Sequence, residues 1–234
     1  MIRIHVKLIP LTPYNISSSL RTRERKVVFY FGVDPSFKFI PPTSIKGILR
    51  TAACYAFFES VCETVTAKIL ILNREKIEEE LKKCENGVKF VRQSFDCAEL
   101  QKLRESKDCE SKVYASVLES IIDKFSSPCI VCRVFGSENA KAKMRIVMGH
   151  KNINTYLIGN LRFSYDIKTN SKGLDVEVSK DQIEFDVLCE DDECKDVIIK
   201  ALEQINNGTV RLGRFKSRGF GIIRAEYEVI QHIS

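Results

Sequence analysis

A mixed α+β fold built on an antiparallel sheet is predicted for this 234-residue chain by three observations. The N-terminal stretch "MIRIHVKLIPLTP" alternates Ile2, Ile4, Val6 and Leu8 with Arg3, His5 and Lys7, the period of a strand with one buried face. Two stretches, about 44–63 and 191–206, repeat apolar residues at helical spacing. Strand-like segments recur at 142–149, at 182–189 and near the C-terminus, so the elements run β, α, β, β, α, β. That order fits a ferredoxin-like (RRM-like) split βαβ arrangement, with both helices on one face of the sheet.

The first strand is assigned to residues 2–12, and 13–41 is polar and basic around a short apolar piece. Pro41 and Pro42 forbid helix before them, and Thr43 or Ser44 offers a cap. Ile45, Ile48, Leu49, Ala52, Ala53, Ala56 and Phe57 then follow a helical period, which places the first helix at about 44–63. From 66 to 127 the character changes to charged, helix-like runs such as "NREKIEEELKK" and "SKVYASVLESIIDKF". This reads as an inserted, mostly helical lobe. The second strand falls in "AKMRIVMG" (142–149), a polar stretch follows over 150–180, and "QIEFDVLC" (182–189) is the third strand. Acidic residues at the start of 191–206 complement the positive end of that helix. The chain ends in "VRLGRFKSRGFGIIR" (210–224), which reads as two short strands around a basic turn.

With 44% hydrophobic residues the chain can bury a substantial core. No apolar run approaches the ~20 residues that cross a bilayer, and the N-terminus lacks a signal-like apolar block, so a cytoplasmic location and no membrane partner are expected. Nine cysteines at irregular spacing argue against a secreted disulfide scaffold. Abundant Lys, Glu and Ile with no Trp is compatible with a thermophile, where disulfides occur inside cells. A net charge of +6 and an isoelectric point near 8.8 fit a polyanionic partner.

Two stretches concentrate the relevant chemistry. In "PPTSIKG" a helix begins with the hydroxyls of Thr43 and Ser44, free backbone N–H groups, Lys46 in the first turn and Gly47 with no side chain; Lys46 and Arg50 are one turn apart. Such a start suits an anion, and equally an ordinary capped helix with a solvated basic face. In the C-terminal stretch Arg211, Arg214, Lys216, Arg218 and Arg224 surround Gly213, Gly219 and Gly221, whose lack of Cβ permits positive φ and close backbone approach. Phe215 and Phe220 interleave with these cations, as aromatics do on nucleic-acid surfaces, although either ring also suits a core. "CIVC" (Cys129 to Cys132) has zinc-ligand spacing, and Cys97 and Cys109 offer two further thiolates for a structural Zn²⁺; a single CxxC also suits buried small hydrophobes. His5, His150 and His232 are scattered and form no acid and base pair, and His5 on an outer strand face is expected to be solvated or edge-paired.

Three of these motifs together carry a resemblance. "IPPTSIKGILRTAA" resembles the "IPGSSLKGALR" signature of the RAMP superfamily of CRISPR-associated proteins, "CRVFGS" (132–137) is similar to its "CRLFGS", and "VRLGRFKSRGFGIIR" resembles its C-terminal glycine-rich loop. The motifs stand in family order from end to end of the chain. The resemblance is closest to the RNA-binding backbone subunits of type III complexes, ribonucleoproteins of antiviral defence. It implies a single RAMP domain over 1–234, with a ferredoxin-like palm from about 1–63 and 140–234 and an inserted lobe at about 64–130. A thumb hairpin is implied at about 153–180, where "YDIKTNSKG" (165–173) matches a family segment. It further implies that Ser44, Lys46 and Arg50 grip guide-RNA phosphates, beside a loop built by Gly213, Arg214, Lys216, Ser217, Arg218 and Gly219. The implied partners are guide and target RNA, other RAMP subunits, the large polymerase-like subunit, and further copies of the chain along the RNA. Pro42 replaces the family's usual glycine. Target-cleaving members carry an aspartate about a dozen residues before the helix signature, where this chain has Lys26, with Glu24 and Asp34 the nearest carboxylates. Metal-assisted cleavage through Mg²⁺ needs an oxygen ligand there, so the expectation leans to a non-catalytic chain, with an endoribonuclease of target or guide precursor as the alternative.

Overall fold

The computed structural model describes residues 1–21, 26–57, 70, 73–84, 102–119, 128–137, 141–149, 151–161 and 174–231. Glu24 and the "YDIKTNSKG" segment lie outside them, as do Cys97, His150 and His232. The chain divides into two compact units. One comprises Met1–Ala52, Arg145–Cys189 and Leu202–Ser234; the other comprises Ala53–Met144 and Glu190–Ala201.

The first unit is a mixed α+β body with two four-stranded sheets. Strands β1 (Ile2–Pro10), β4 (Met144–Val147), β7 (Ile183–Cys189) and β8 (Ile223–Gln231) form the first, in the order β4-β7-β1-β8. β1 is antiparallel to both neighbours, with Ile4 opposite Val187 and Val229. The alternation seen in the sequence is the cause of this sheet's sidedness: Ile4, Val6 and Leu8 are fully buried, as are Phe185 and Val187, while Arg3, His5 and Lys7 form the other face. Helix α1 (Pro42–Ala56) lies in sequence between β1 and β4, and helix α5 (Asp192–Asn206) between β7 and β8; both run across the boundary between the units.

Helix α1 starts two residues earlier than expected. Pro42 occupies the first helical position, where its missing N–H costs nothing, and the Pro41 carbonyl accepts from the Ser44 N–H at 2.9 Å. Thr43 and Ser44 therefore sit inside the first turn instead of capping it.

The second sheet was not expected. Strands β2 (Ser17–Arg21), β3 (Lys26–Phe29), β5 (Tyr156–Leu161) and β6 (Leu174–Val178) stand in the order β2-β3-β6-β5. β3 and β6 are parallel, with Lys26 paired to Asp175 and Val27 to Val176, whereas β5 and β6 are antiparallel. Val27, Val176 and Val178 form its buried cluster, and Ile158, Leu161, Leu174, Phe215 and Phe220 pack against it. Residues 17–21 and 26–29 thus supply strands, and the described ends of the 153–180 segment include sheet strands.

In the second unit, helices α2 (Arg74–Leu81), α3 (Cys109–Glu119) and α4 (Ile130–Phe135) are described. Ile77 and Leu81 of α2 bury with Tyr114, Val117 and Leu118 of α3, and a disulfide joins Cys84, three residues past the end of α2, to Cys109 at the start of α3, a separation of 25 residues. That link removes Cys109 from the four-thiolate zinc set. Cys129 is instead the N-cap of α4, its Sγ accepting the Cys132 N–H at 3.4 Å. Among the described residues no group of three or more His, Cys, Asp or Glu could hold a metal ion, and no helix is long and apolar enough to cross a membrane.

Candidate functional site

Of the stretch 210–224, residues 210–222 are a loop where a first short strand was expected, with one regular piece, a 3₁₀ turn at Lys216–Arg218, and the second expected strand is the start of β8 at Ile223. The loop is fixed by backbone bonds to the segment that leaves β1. The Gly221 N–H donates to the Pro13 carbonyl (2.8 Å), the Arg214 N–H to Asn15 (2.9 Å), and Leu11 and Thr12 both donate to Ile222 (2.8 and 3.2 Å). Within the loop the Leu212 N–H donates to Gly221 (2.8 Å), and the Arg211 guanidinium donates to the Lys216 carbonyl.

Two glycines make this lamination possible. Gly213 (φ 76°) and Gly221 (φ 74°) are in the left-handed region, and a Cβ on either would overlap a backbone carbonyl, that of Asn15 in the first case and of Leu212 in the second. Phe215 (φ 59°) is left-handed without that freedom. Its ring is half-buried against the second sheet, 6.2 Å from the Phe220 ring in an edge arrangement. Both aromatics therefore serve the core.

Between this loop and α1 lies an open cleft of about 340 Å³. Ser44, Gly47, Ile48 and Thr51 form its helical wall, Arg211, Gly213, Arg214 and Lys216 belong to its loop wall, and Asn15 and Ser17 line it from the segment between β1 and β2. Two stretches about 160 residues apart in sequence thus meet in one unit. Arg214, Lys216 and Ser217 are exposed and Arg218 half-buried. Lys46 and Arg50 do not line the cleft. At 100° per residue they sit roughly 110–150° around α1 from the lining face. Gly47 is exposed, with nothing within 4 Å of an added Cβ.

Asn15 was not singled out in the sequence, because nothing in "PYNIS" marks a site. It is fully buried, its Nδ2 donates to the Glu177 carbonyl (2.6 Å), and its Oδ1 has no partner among the described residues. Ser17 Oγ is likewise buried without a partner. Beneath them the Glu177 carboxylate accepts from the Phe29 N–H (2.8 Å), Thr155 Oγ1 (2.7 Å) and Lys38 Nζ (3.3 Å). Burial opposes ionisation of Glu177, but these three donors outweigh it and hold the carboxyl below its ordinary range.

The carboxylates considered for catalysis are elsewhere. Asp34 is exposed and closes a turn, accepting the Ser36 N–H at 2.8 Å; the Ser36 hydroxyl and N–H keep its carboxyl below the usual range. Lys26 begins β3. Among the described residues lining the cleft there is no carboxylate, histidine or cysteine. His5 is paired, with Nδ1 2.9 Å from Asp186 Oδ1, and Arg3 bonds the other oxygen of the same carboxylate at 2.6 Å.

The cleft sets three loop cations beside helix hydroxyls, with no opposing carboxylate among its described lining residues, an arrangement chemically suited to an anion. The family model of the RAMP superfamily matches residues 7–224, and the chain belongs to that superfamily. None of the curated proteins matches the sequence. Among solved structures, a chain of the type III-B Cmr-beta complex bound to cognate target RNA is similar over 98% of this chain, at 14% identity and a TM-score of 0.46; this chain spans 60% of its length. Cmr6 from Pyrococcus furiosus is similar over 96% of this chain and 98% of its own, at 15% identity and a TM-score of 0.42.

Proposed function

We propose that this chain is a guide-RNA-binding backbone subunit of a type III CRISPR complex and does not itself cleave RNA. The observation that carries the reading is the cleft: hydroxyl and glycine positions of α1 face the loop cations Arg211, Arg214 and Lys216 in one groove that lacks an acidic group among its described residues. Such a groove neutralises phosphates and positions a strand without reading its bases. The strand order β4-β7-β1-β8, with one helix in sequence between β1 and β4 and another between β7 and β8, supports a ferredoxin-like palm. In this reading Ser44, Gly213, Arg214, Lys216, Ser217, Arg218 and Gly219 contact the guide, and Lys46 and Arg50 serve a neighbouring stretch of backbone. Residues 153–180 act as the thumb toward further copies, other RAMP subunits and the large subunit.

The test is binding and cleavage of labelled guide and guide–target RNA by the purified chain, with and without Mg²⁺ and across a salt series. The expected result is strongly salt-dependent binding with intact RNA. Products that require Mg²⁺ and vanish in Asp34→Ala or Glu24→Ala would assign the chain to the endoribonucleases, and absence of binding would overturn the reading altogether.

A further inference from the structure

The Asn15 amide is held in one orientation. Its Nδ2 donates to the Glu177 carbonyl at 2.6 Å, a bond that only the nitrogen can make, so Oδ1 is the atom left without a partner in a fully buried residue that lines the cleft. The Asn15 main chain is fixed as well, since its carbonyl accepts from Arg214 and abuts Gly213. Ser17, whose buried Oγ likewise has no partner among the described residues, lines the same cleft. A buried acceptor without a donor is a standing cost, which a ligand donor relieves.

We infer that Asn15 and Ser17 form a ribose subsite, in which the 2′-hydroxyl of one nucleotide donates to Asn15 Oδ1 and pairs with the Ser17 hydroxyl. The inference rests on the proposed RNA-binding function and adds a chemical selectivity to it. The donor is a ribose hydroxyl for two reasons. An asparagine reads adenine with both Oδ1 and Nδ2, and here Nδ2 is committed to Glu177. The cations at the loop wall hold a phosphate, and the group next along the strand from a phosphate is its own sugar, whatever the base. The site would therefore distinguish RNA from DNA without reading sequence.

The experiment compares binding of the full chain to three labelled single strands of one mixed sequence: RNA, 2′-fluoro RNA and DNA. The fluoro strand keeps the sugar shape of RNA but cannot donate. Wild type is expected to prefer RNA to 2′-fluoro RNA by about fivefold for one engaged hydrogen bond. In Asn15→Leu and in Ser17→Ala that ratio is expected to fall toward one. Equal affinity of wild type for RNA and 2′-fluoro RNA overturns the ribose subsite and leaves RNA binding standing. Discrimination that survives in Ser17→Ala and in a folded Asn15→Leu also overturns it. Should Asn15→Leu not fold, the wild-type comparison and Ser17→Ala decide alone. Binding of none of the strands overturns the proposed function itself.

Discussion

Two stretches of this chain share one composition, cations set among glycines and hydroxyls, and the fold uses them differently. In 210–221 the glycines are structural: Gly213 and Gly221 let one backbone lie directly on another, and the cations are carried on a loop bonded at every turn to residues 11–15. In α1 the glycine is free of neighbours, and the helix repeat turns Lys46 and Arg50 away from the wall that Ser44 and Gly47 present to the cleft. Composition marks both as candidate anion sites. Only geometry says which atoms would face an anion.

The largest effect that tests this contrast is on stability. Gly213→Ala and Gly221→Ala each force a Cβ into a carbonyl at positive φ and are expected to destabilise the first unit by about 3 kcal/mol or more, read as a lowered denaturation midpoint. Gly219 has a similar φ of 85° but open space around it, so Gly219→Ala is expected to cost only about 1 kcal/mol. Equal losses at all three positions would show that φ alone matters and that the close approach to the Asn15 and Leu212 carbonyls does not.

A second test removes the support beneath the cleft. Glu177 and Lys38 are nearly buried, with side-chain exposures of 13% and 14%. Glu177→Gln leaves the ammonium without its counter-charge and is expected to cost about 2–3 kcal/mol. The pH dependence follows from the same group. Its native value lies below the ordinary 4.5, so its stabilisation is present above that value and is lost as pH falls through the native one. Chemical denaturation between pH 6 and 3 should show a fall that Glu177→Gln diminishes, with an unchanged slope excluding Glu177 as its source.

The contrast between the two stretches also marks what was legible in the sequence. β1, α1, β7 and α5 announce themselves because period 2 and period 3.6 are local patterns that survive without knowledge of partners. The second sheet does not, since β3 is four residues long, follows a run of cations, and is completed by a parallel strand about 150 residues away, with Val27 beside Val176. The two halves of the cleft were legible as motifs. Its lining was not: Asn15 owes its place to the Arg214 and Glu177 backbones, and no residue type or spacing encodes those contacts. Cys109 shows the same limit, because spacing that suits a thiolate ligand also suits the disulfide to Cys84.

A third test concerns affinity. Arg214→Ala and Lys216→Ala are each expected to weaken RNA binding about fivefold and to reduce the slope of log affinity against log salt by roughly 0.7, the share of one phosphate on a single strand. Lys46→Ala and Arg50→Ala should act less, because their face of α1 is turned from the cleft. Should Lys46→Ala have the larger effect, the strand runs along the outer face of the helix, and the cleft is not its main seat.

The smallest expected effect is the most discriminating. Gly47 lies within α1, where an alanine is ordinarily more stable by about 0.5–1 kcal/mol, and a Cβ there meets no atom within 4 Å. Gly47→Ala should therefore raise the denaturation midpoint slightly, the reverse of Gly213→Ala. The new methyl group projects at a residue lining the cleft, so a ligand that packs against the helix backbone there would be pushed away. A chain that is more stable and binds RNA less tightly is the outcome a ligand-admitting glycine produces, and neither a damaged fold nor a lost charge imitates it. A chain that is more stable and binds RNA as before would assign contact with the strand to the loop wall alone.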